Sequence, residues 1–247
     1  MKKRFIAYVL ILVAAFLFYK YGRSIWQPIA VKIMGKKTVS EVIEKYGEKA
    51  KKDLSSEFAK AGINYPPEKL ALLAFKDTKQ LEIWAANDDA NYSRITSFPI
   101  KAASGKLGPK LKEGDRQVPE GIYKIVGFNP NSSYHLSMKL NYPNPFDLHY
   151  AQLEGRDEPG TNIFIHGQAA SIGCLAMGDS TIEILFSLVY AAGKSNTIVI
   201  ISPTDPSKGN LVASEGSPIW TSELYKDIEE QYMKIIKRNT EQRVSSK

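Results

Sequence analysis

From residue 65 to residue 205 the chain is cut into short apolar runs, each stopped by a turn signal or a proline, and this pattern calls for a sheet-rich domain. Residues 70–75 and 81–85 are two such runs, and the polar stretch 76–80 between them reads as a hairpin turn. Residues 94–100 continue the pattern, with Pro99 placing them at an edge or a bulge because proline cannot donate to a ladder. Residues 121–128 and 133–138 read as further strands, and 197–202 as a buried strand that Pro203 ends. One helix is expected inside this region, from Thr181 to Ala192. Asp179 or Ser180 caps it, Gly193 ends it, and Ile182, Leu185, Phe186 and Val189 form its core stripe. The stretches 103–120 and 141–160 are irregular and rich in Gly, Pro and charge, and long loops of this kind are usually functional or disordered. Helical periodicity flanks the strands on both sides. Val42, Ile43, Tyr46, Ala50, Leu54, Phe58 and Ala61 recur near every 3.6 residues, as do Leu224, Ile228, Gln231 or Tyr232, Ile235 and Ile236. The expected fold is mainly β with α appendages.

Within the sheet region one stretch carries chemistry. Residues 162–167 form an apolar run ending on His166 and Gly167, and a loop of small residues then leads to Cys174, the one cysteine in the chain. A lone cysteine is usually a small buried hydrophobe, and a lone histidine at a strand end is usually a satisfied polar group. Together they offer what covalent acyl transfer requires: a thiol as nucleophile and an imidazole to take its proton. Gly173 lets the backbone turn tightly beside the sulfur, so that N–H groups of residues 173 and 174 can face a developing oxyanion. Three histidines and a cysteine also raise the question of zinc, but their spacings match no compact metal pattern, so neither a metal nor a cofactor is expected.

The run Ile165-His166-Gly167 followed by Ser171, Gly173, Cys174 and Met177 resembles the signature of the YkuD-type L,D-transpeptidases. These are cysteine acyl transferases acting on peptidoglycan stem peptides. The Gly108-Pro109-Lys110-Leu111 run, the stretch 113–121, Asn129 to Ser132 with Tyr134 to Ser137, and Tyr142-Pro143-Asn144 resemble the YafK-like branch of that family. The resemblance implies a β-sandwich catalytic domain with N- and C-terminal helices. It implies Cys174 as the nucleophile that forms a thioester, His166 as the base, the Gly167 carbonyl as the group orienting the ring, and the Gly173 main chain as an oxyanion donor. Tyr134, His135, Ser171 and Arg156 are the candidate substrate contacts. Two departures stand out: Ala176 occupies the position of the family's usual arginine, and the stretch between His166 and Cys174 is shorter than in many members. Transfer to an amine and hydrolysis by water both stay open, as does release of a wall-linked protein or amino acid. An inactive wall-binding module and an unrelated exported cysteine hydrolase are the other classes.

The N-terminus reads as an export address. Lys2, Lys3 and Arg4 precede an apolar run from Phe5 to Tyr19, which matches the charged and apolar regions of a secretory signal. As a helix that run covers roughly 22 Å, short of a ~30 Å hydrocarbon core unless flanking lysines snorkel. No small-x-small cleavage site is evident, so an uncleaved anchor in the inner membrane is favoured over a removed peptide, with the rest of the chain in the periplasm. A net charge of +7 suits an anionic surface such as a wall or membrane, and no basic block with interleaved aromatics points to nucleic acid. The expected division is a signal segment at 1–23, a helical segment at 24–64, the catalytic domain at 65–205 and a helical tail at 206–247.

Overall fold

The computed structural model describes residues 2–88 and 91–236. Its centre is an eight-stranded mixed sheet of order β3-β2-β1-β8-β4-β5-β6-β7. The strands are β1 (Lys69–Phe75), β2 (Gln80–Ala86), β3 (Ser93–Pro99), β4 (Gly121–Asn129), β5 (Ser137–Leu140), β6 (Phe164–His166), β7 (Leu175–Ala176) and β8 (Thr197–Ser202). The helices are α1 (Lys2–Tyr21), α2 (Arg23–Met34), α3 (Val39–Ala61), α4 (Pro145–Leu153), α5 (Asp179–Ala192) and α6 (Thr221–Ile236). The molecule is therefore mainly β with helical appendages, and the sheet is a half-barrel rather than a flat layer.

Strand β4 makes the bend. Its first half, from Gly121 to Lys124, pairs antiparallel with β8, while Ile125 to Asn129 pair with β5 across an irregularity in register. One strand thus serves both parts of the sheet. In β1, alternation sends Leu70, Leu72 and Ala74 to one face, where they pack with α3 and α5 residues such as Leu54, Phe58, Leu185 and Phe186. Ala71, Leu73 and Phe75 face the other way and meet Leu224, Tyr225, Ile228 and Tyr232 of α6. Covered on both faces, β1 and β8 are apolar almost throughout, as a parallel pair inside a sheet should be. Pro99 ends β3, which is the edge strand, so its missing N–H costs nothing.

Two expectations need correcting. The segment 141–160 is not wholly irregular: Asn144 caps α4 in a capping box with Asp147, and Pro145 opens the helix, where its missing N–H is harmless. The strand expected at 133–138 lies at Ser137–Leu140 instead, because the preceding residues turn and His135 takes a φ of 77°. Helix α5 begins at Asp179, with Gly178 as its N-terminal cap. Among the described residues no helix is long and apolar enough to cross a membrane. Residues 237–247 of the expected tail lie outside the described residues.

Candidate active site

Strands β6 and β7 place the two chemical groups. They run parallel, with Ile165 opposite Leu175 and His166 opposite Ala176. Ile165 and Leu175 are wholly buried, so alternation turns Phe164, His166 and Cys174 to the other face. There they line one cavity of about 490 Å³ with Tyr134, Asn162, Lys110, Glu113 and Arg116 among its other walls.

The histidine is held in one tautomer. Its Nδ1 lies 2.6 Å from the Gly167 carbonyl, and because that oxygen only accepts, Nδ1 carries the hydrogen. Nε2 is then left as a lone pair. The Tyr134 ring sits 4.6 Å from the imidazole, tilted by 39°, and fixes its plane. Burial pushes the imidazole below its ordinary range, the Gly167 carbonyl opposing. A neutral ring follows at neutral pH. Gly167 is locked in turn: a Cβ there would lie 2.6 Å from the Tyr134 carbonyl and 2.7 Å from Asp179 Oδ1. Its N–H donates to the Leu136 carbonyl, and Asp179 Oδ1 accepts from the Gln168 N–H at 2.8 Å.

Cys174 is partly exposed, and its thiol points at the Asn162 carbonyl 3.8 Å away. Burial pushes the thiol up, with the Phe164 main chain and the Lys110 ammonium opposing. Burial thus favours the uncharged form of both groups.

The Ser171 hydroxyl organises the loop before the sulfur. It donates to the Cys174 carbonyl at 2.7 Å and accepts from the N–H groups of Gly173 at 3.3 Å and Cys174 at 3.2 Å. The two N–H groups expected to face an oxyanion are thus turned onto Ser171, and Ser171 faces the loop and Ser104 rather than the cavity. Gly173 is needed for close approach as well as for its φ of 123°, since a Cβ would meet the Gln117 carbonyl at 3.3 Å.

Besides Ser171, two more of the expected substrate contacts lie outside the cavity, and of the four only Tyr134 lines it. His135 hydrogen-bonds Glu183 at 2.7 Å and Arg23 at 3.2 Å, on the side of α2 and α5, because its positive φ turns it away from its neighbour Tyr134. Arg156 is spent on Glu154 at 2.7 Å and the Leu111 carbonyl at 2.6 Å, outside the cavity that holds the thiol. His149 is exposed on α4 beside Tyr150.

Sequence reasoning did not single out Lys110, Glu113 and Arg116 individually. They come from the irregular stretch 103–120, which a buried network fixes. Lys76 Nζ pairs with Glu120 at 2.9 Å and donates to the carbonyls of Gly108 and Val118, while Glu120 also accepts from the Gly108 N–H and the Tyr225 hydroxyl. Asp115 accepts from the N–H groups of Leu111, Lys112 and Gln117 and pairs with Lys110, closing the tip of the loop.

Residues 71–206, more than half of the chain, match the model of the YkuD family, the L,D-transpeptidase catalytic domain, and the chain belongs to that family. It is 30% identical over 142 residues to YafK of Escherichia coli strain K12, an alignment covering 56% of this chain and 55% of that protein. The chain thus spans about half the length of this curated relative. Among solved structures, the helical cell shape determining protein Pgp2 from Campylobacter jejuni aligns with a TM-score of 0.45 at 21% identity, covering 56% of this chain and 48% of that one. Bd1075 of Bdellovibrio bacteriovorus aligns with a TM-score of 0.41 at 18% identity, covering 68% and 57%.

Proposed function

We propose that this member of the L,D-transpeptidase family is a peptidoglycan-modifying cysteine acyl transferase that forms a thioester with stem peptides through Cys174. One observation carries the proposal: a histidine held as its Nδ1–H tautomer by a backbone carbonyl shares a cavity with the single cysteine of the chain. His166 Nε2 takes the thiol proton as Sγ attacks a stem-peptide carbonyl, and returns it to the departing amine. The Gly167 carbonyl does the work that a carboxylate does in other triads, keeping the ring in place without adding a charge. Main-chain N–H groups at 173 and 174 stabilise the oxyanion by exchanging their long bonds to Ser171 for the substrate oxygen, each contributing about 3 kcal/mol. The thioester is resolved by an amine from a second stem, a wall-attached protein or a free amino acid, or by water.

The apolar run after Lys2, Lys3 and Arg4 supports action outside the cytoplasm, in the periplasm. The segment 65–205 is taken as the catalytic unit, with the helices before and after it as its supports.

Digestion of purified peptidoglycan, with and without an added amine acceptor, tests the proposal. New cross-linked or amine-capped muropeptides that vanish with Cys174→Ala support transfer, and trimmed stems unaffected by the acceptor support hydrolysis by the same nucleophile. Binding without any change of product would refute both and leave a wall-binding module. Cleaved casein beside untouched muropeptides would instead indicate a general protease.

A further inference from the structure

We infer that helix α2 lies in the plane of an anionic lipid bilayer surface and orients the catalytic domain on it, independently of the chemistry at Cys174. The outward face of α2 is apolar. Ile25, Ile29 and Ile33 are spaced four apart, form one stripe and are 64%, 59% and 79% exposed, with Pro28 exposed between them. The opposite side is bonded to the domain. Gln27 is buried and its Nε2 donates to the carbonyls of Asn131 and Ser132. Arg23 donates to His135 Nδ1 at 3.2 Å and pairs with Asp179 at 3.8 Å. Just past the helix, the Lys37 N–H donates to Asn131 Oδ1 and Asn131 Nδ2 donates to the Lys37 carbonyl, both at 2.8 Å. With these bonds in place the stripe cannot turn inward onto the domain.

Charge and continuity say what covers it. Glu41 is the first acid in the chain. Residues 1–40 hold eight of the 33 Lys and Arg and none of the 26 Asp and Glu, which leaves 25 against 26 in the rest. The positive surplus therefore belongs to this end, with Lys32 exposed beside the stripe and Lys36 and Lys37 exposed beyond it. Lys36 and Lys37 line a cavity of about 360 Å³ with Tyr19 and Trp26, and the acid there, Glu41, accepts from the Thr38 N–H at 2.6 Å. The same two aromatics join α2 to α1: Trp26 Nε1 donates to the Tyr19 carbonyl at 3.1 Å, and the rings stack with centroids 5.3 Å apart. Helix α1 is exposed and apolar on every side from Phe5 to Tyr19. Such a helix matches a bulk apolar phase rather than a single groove. Aromatic rings beside lysines suit the layer where headgroups meet hydrocarbon, and the lysines complement lipid phosphates. A second copy laid on the stripe would set lysine against lysine, with no acid in residues 1–40 to pair them.

The surface then sets the orientation of the Cys174 cavity as well as its distance from the lipid. The turn that α2 grips, from Asn131 to His135, also supplies Tyr134 to that cavity.

Spin labelling of the full-length protein tests this. Cys174→Ala removes the one native thiol, and Ile29→Cys, Leu12→Cys or Ser222→Cys then places a nitroxide at an exposed position on α2, on α1, or on α6 across the sheet. Depth is read from the ratio of collisions with oxygen, which enters lipid, and with a nickel chelate, which stays in water. In vesicles of phosphatidylglycerol and phosphatidylethanolamine the Ile29 label is expected about 5–10 Å below the phosphates, and the Ser222 label in water. In vesicles of phosphatidylcholine alone the Ile29 label is expected to return to water. Immersion at Leu12 with Ile29 left in water would show an anchor without an in-plane helix and overturn the inference, as would immersion at neither. Equal depth of the Ile29 label in both kinds of vesicle overturns the assignment to anionic lipid. Dipolar broadening between Ile29 labels overturns it in favour of a second copy on the stripe.

Discussion

Substituting Gly167 by alanine probes the support of the catalytic base without touching the base itself. The added methyl meets the Tyr134 carbonyl at 2.6 Å, Asp179 Oδ1 at 2.7 Å and the His135 Cβ at 3.0 Å. None of the three moves easily. The first is main chain, the second already accepts from the Gln168 N–H, and the third belongs to a residue at a φ of 77°. Ordinary contact requires the backbone to retreat by roughly half an ångström or more, which carries the Gly167 carbonyl away from His166 Nδ1, now 2.6 Å distant. Overpacking of this kind costs roughly 1–3 kcal/mol, and a loosened neutral hydrogen bond adds about 1 kcal/mol. For a domain of this size the sum of roughly 2–4 kcal/mol corresponds to a fall in Tm of about 4–16 °C. Misplacing a catalytic group by about 1 Å can cost on the order of a hundredfold in rate. Calorimetry and muropeptide turnover measure the two effects separately. Turnover within twofold of the parent, whatever the Tm, would refute the idea that the carbonyl of residue 167 positions the base.

Further predictions follow from the same geometry. Labelling of Cys174 by iodoacetamide should rise with pH to a midpoint above that of a free thiol, because burial pushes the thiol up; a plateau between pH 5 and 8 would mean a resting thiolate–imidazolium pair instead. Burial places the Asp147 carboxyl at about 6, so its contribution to stability is full below the ordinary value near 3.8 and is lost as the pH rises through 6, roughly 3 kcal/mol in all. Asp147→Asn should therefore gain on the parent in urea unfolding at pH 7.5 and lose that advantage by pH 4; an equal difference at both would contradict the assignment. Lys76→Ala strands the Glu120 carboxylate in the core and should cost roughly 3–5 kcal/mol, read as a lower urea midpoint.

Local signals carried much of the fold. The apolar runs that became β1, β2, β4 and β8 and the helical stripes of α3, α5 and α6 are properties of short windows, and the sequence shows them directly. Helix α4 escaped because its prolines suggested a loop, although Asn144, Pro145 and Asp147 are together a helix start. The site was legible only where its parts are close in sequence. His166, Gly167 and Cys174 lie within one strand–loop–strand passage, which brings the imidazole and the thiol into one cavity and the Gly167 carbonyl onto the ring. His135 and Arg156 lie outside that cavity because their partners come from α2, α5 and the 103–120 loop, far away in the chain. The same holds for Lys110 and Arg116, whose place in the cavity wall depends on the turn built by Asp115.

The most direct measurement is the intact mass of the protein quenched in acid during turnover of a stem-peptide substrate. An added mass equal to the acyl fragment, mapped to the peptide that contains Cys174 and absent in Cys174→Ala, is the expected result. Product formed by Cys174→Ala at the rate of the parent, with no acylated protein in either, would contradict it.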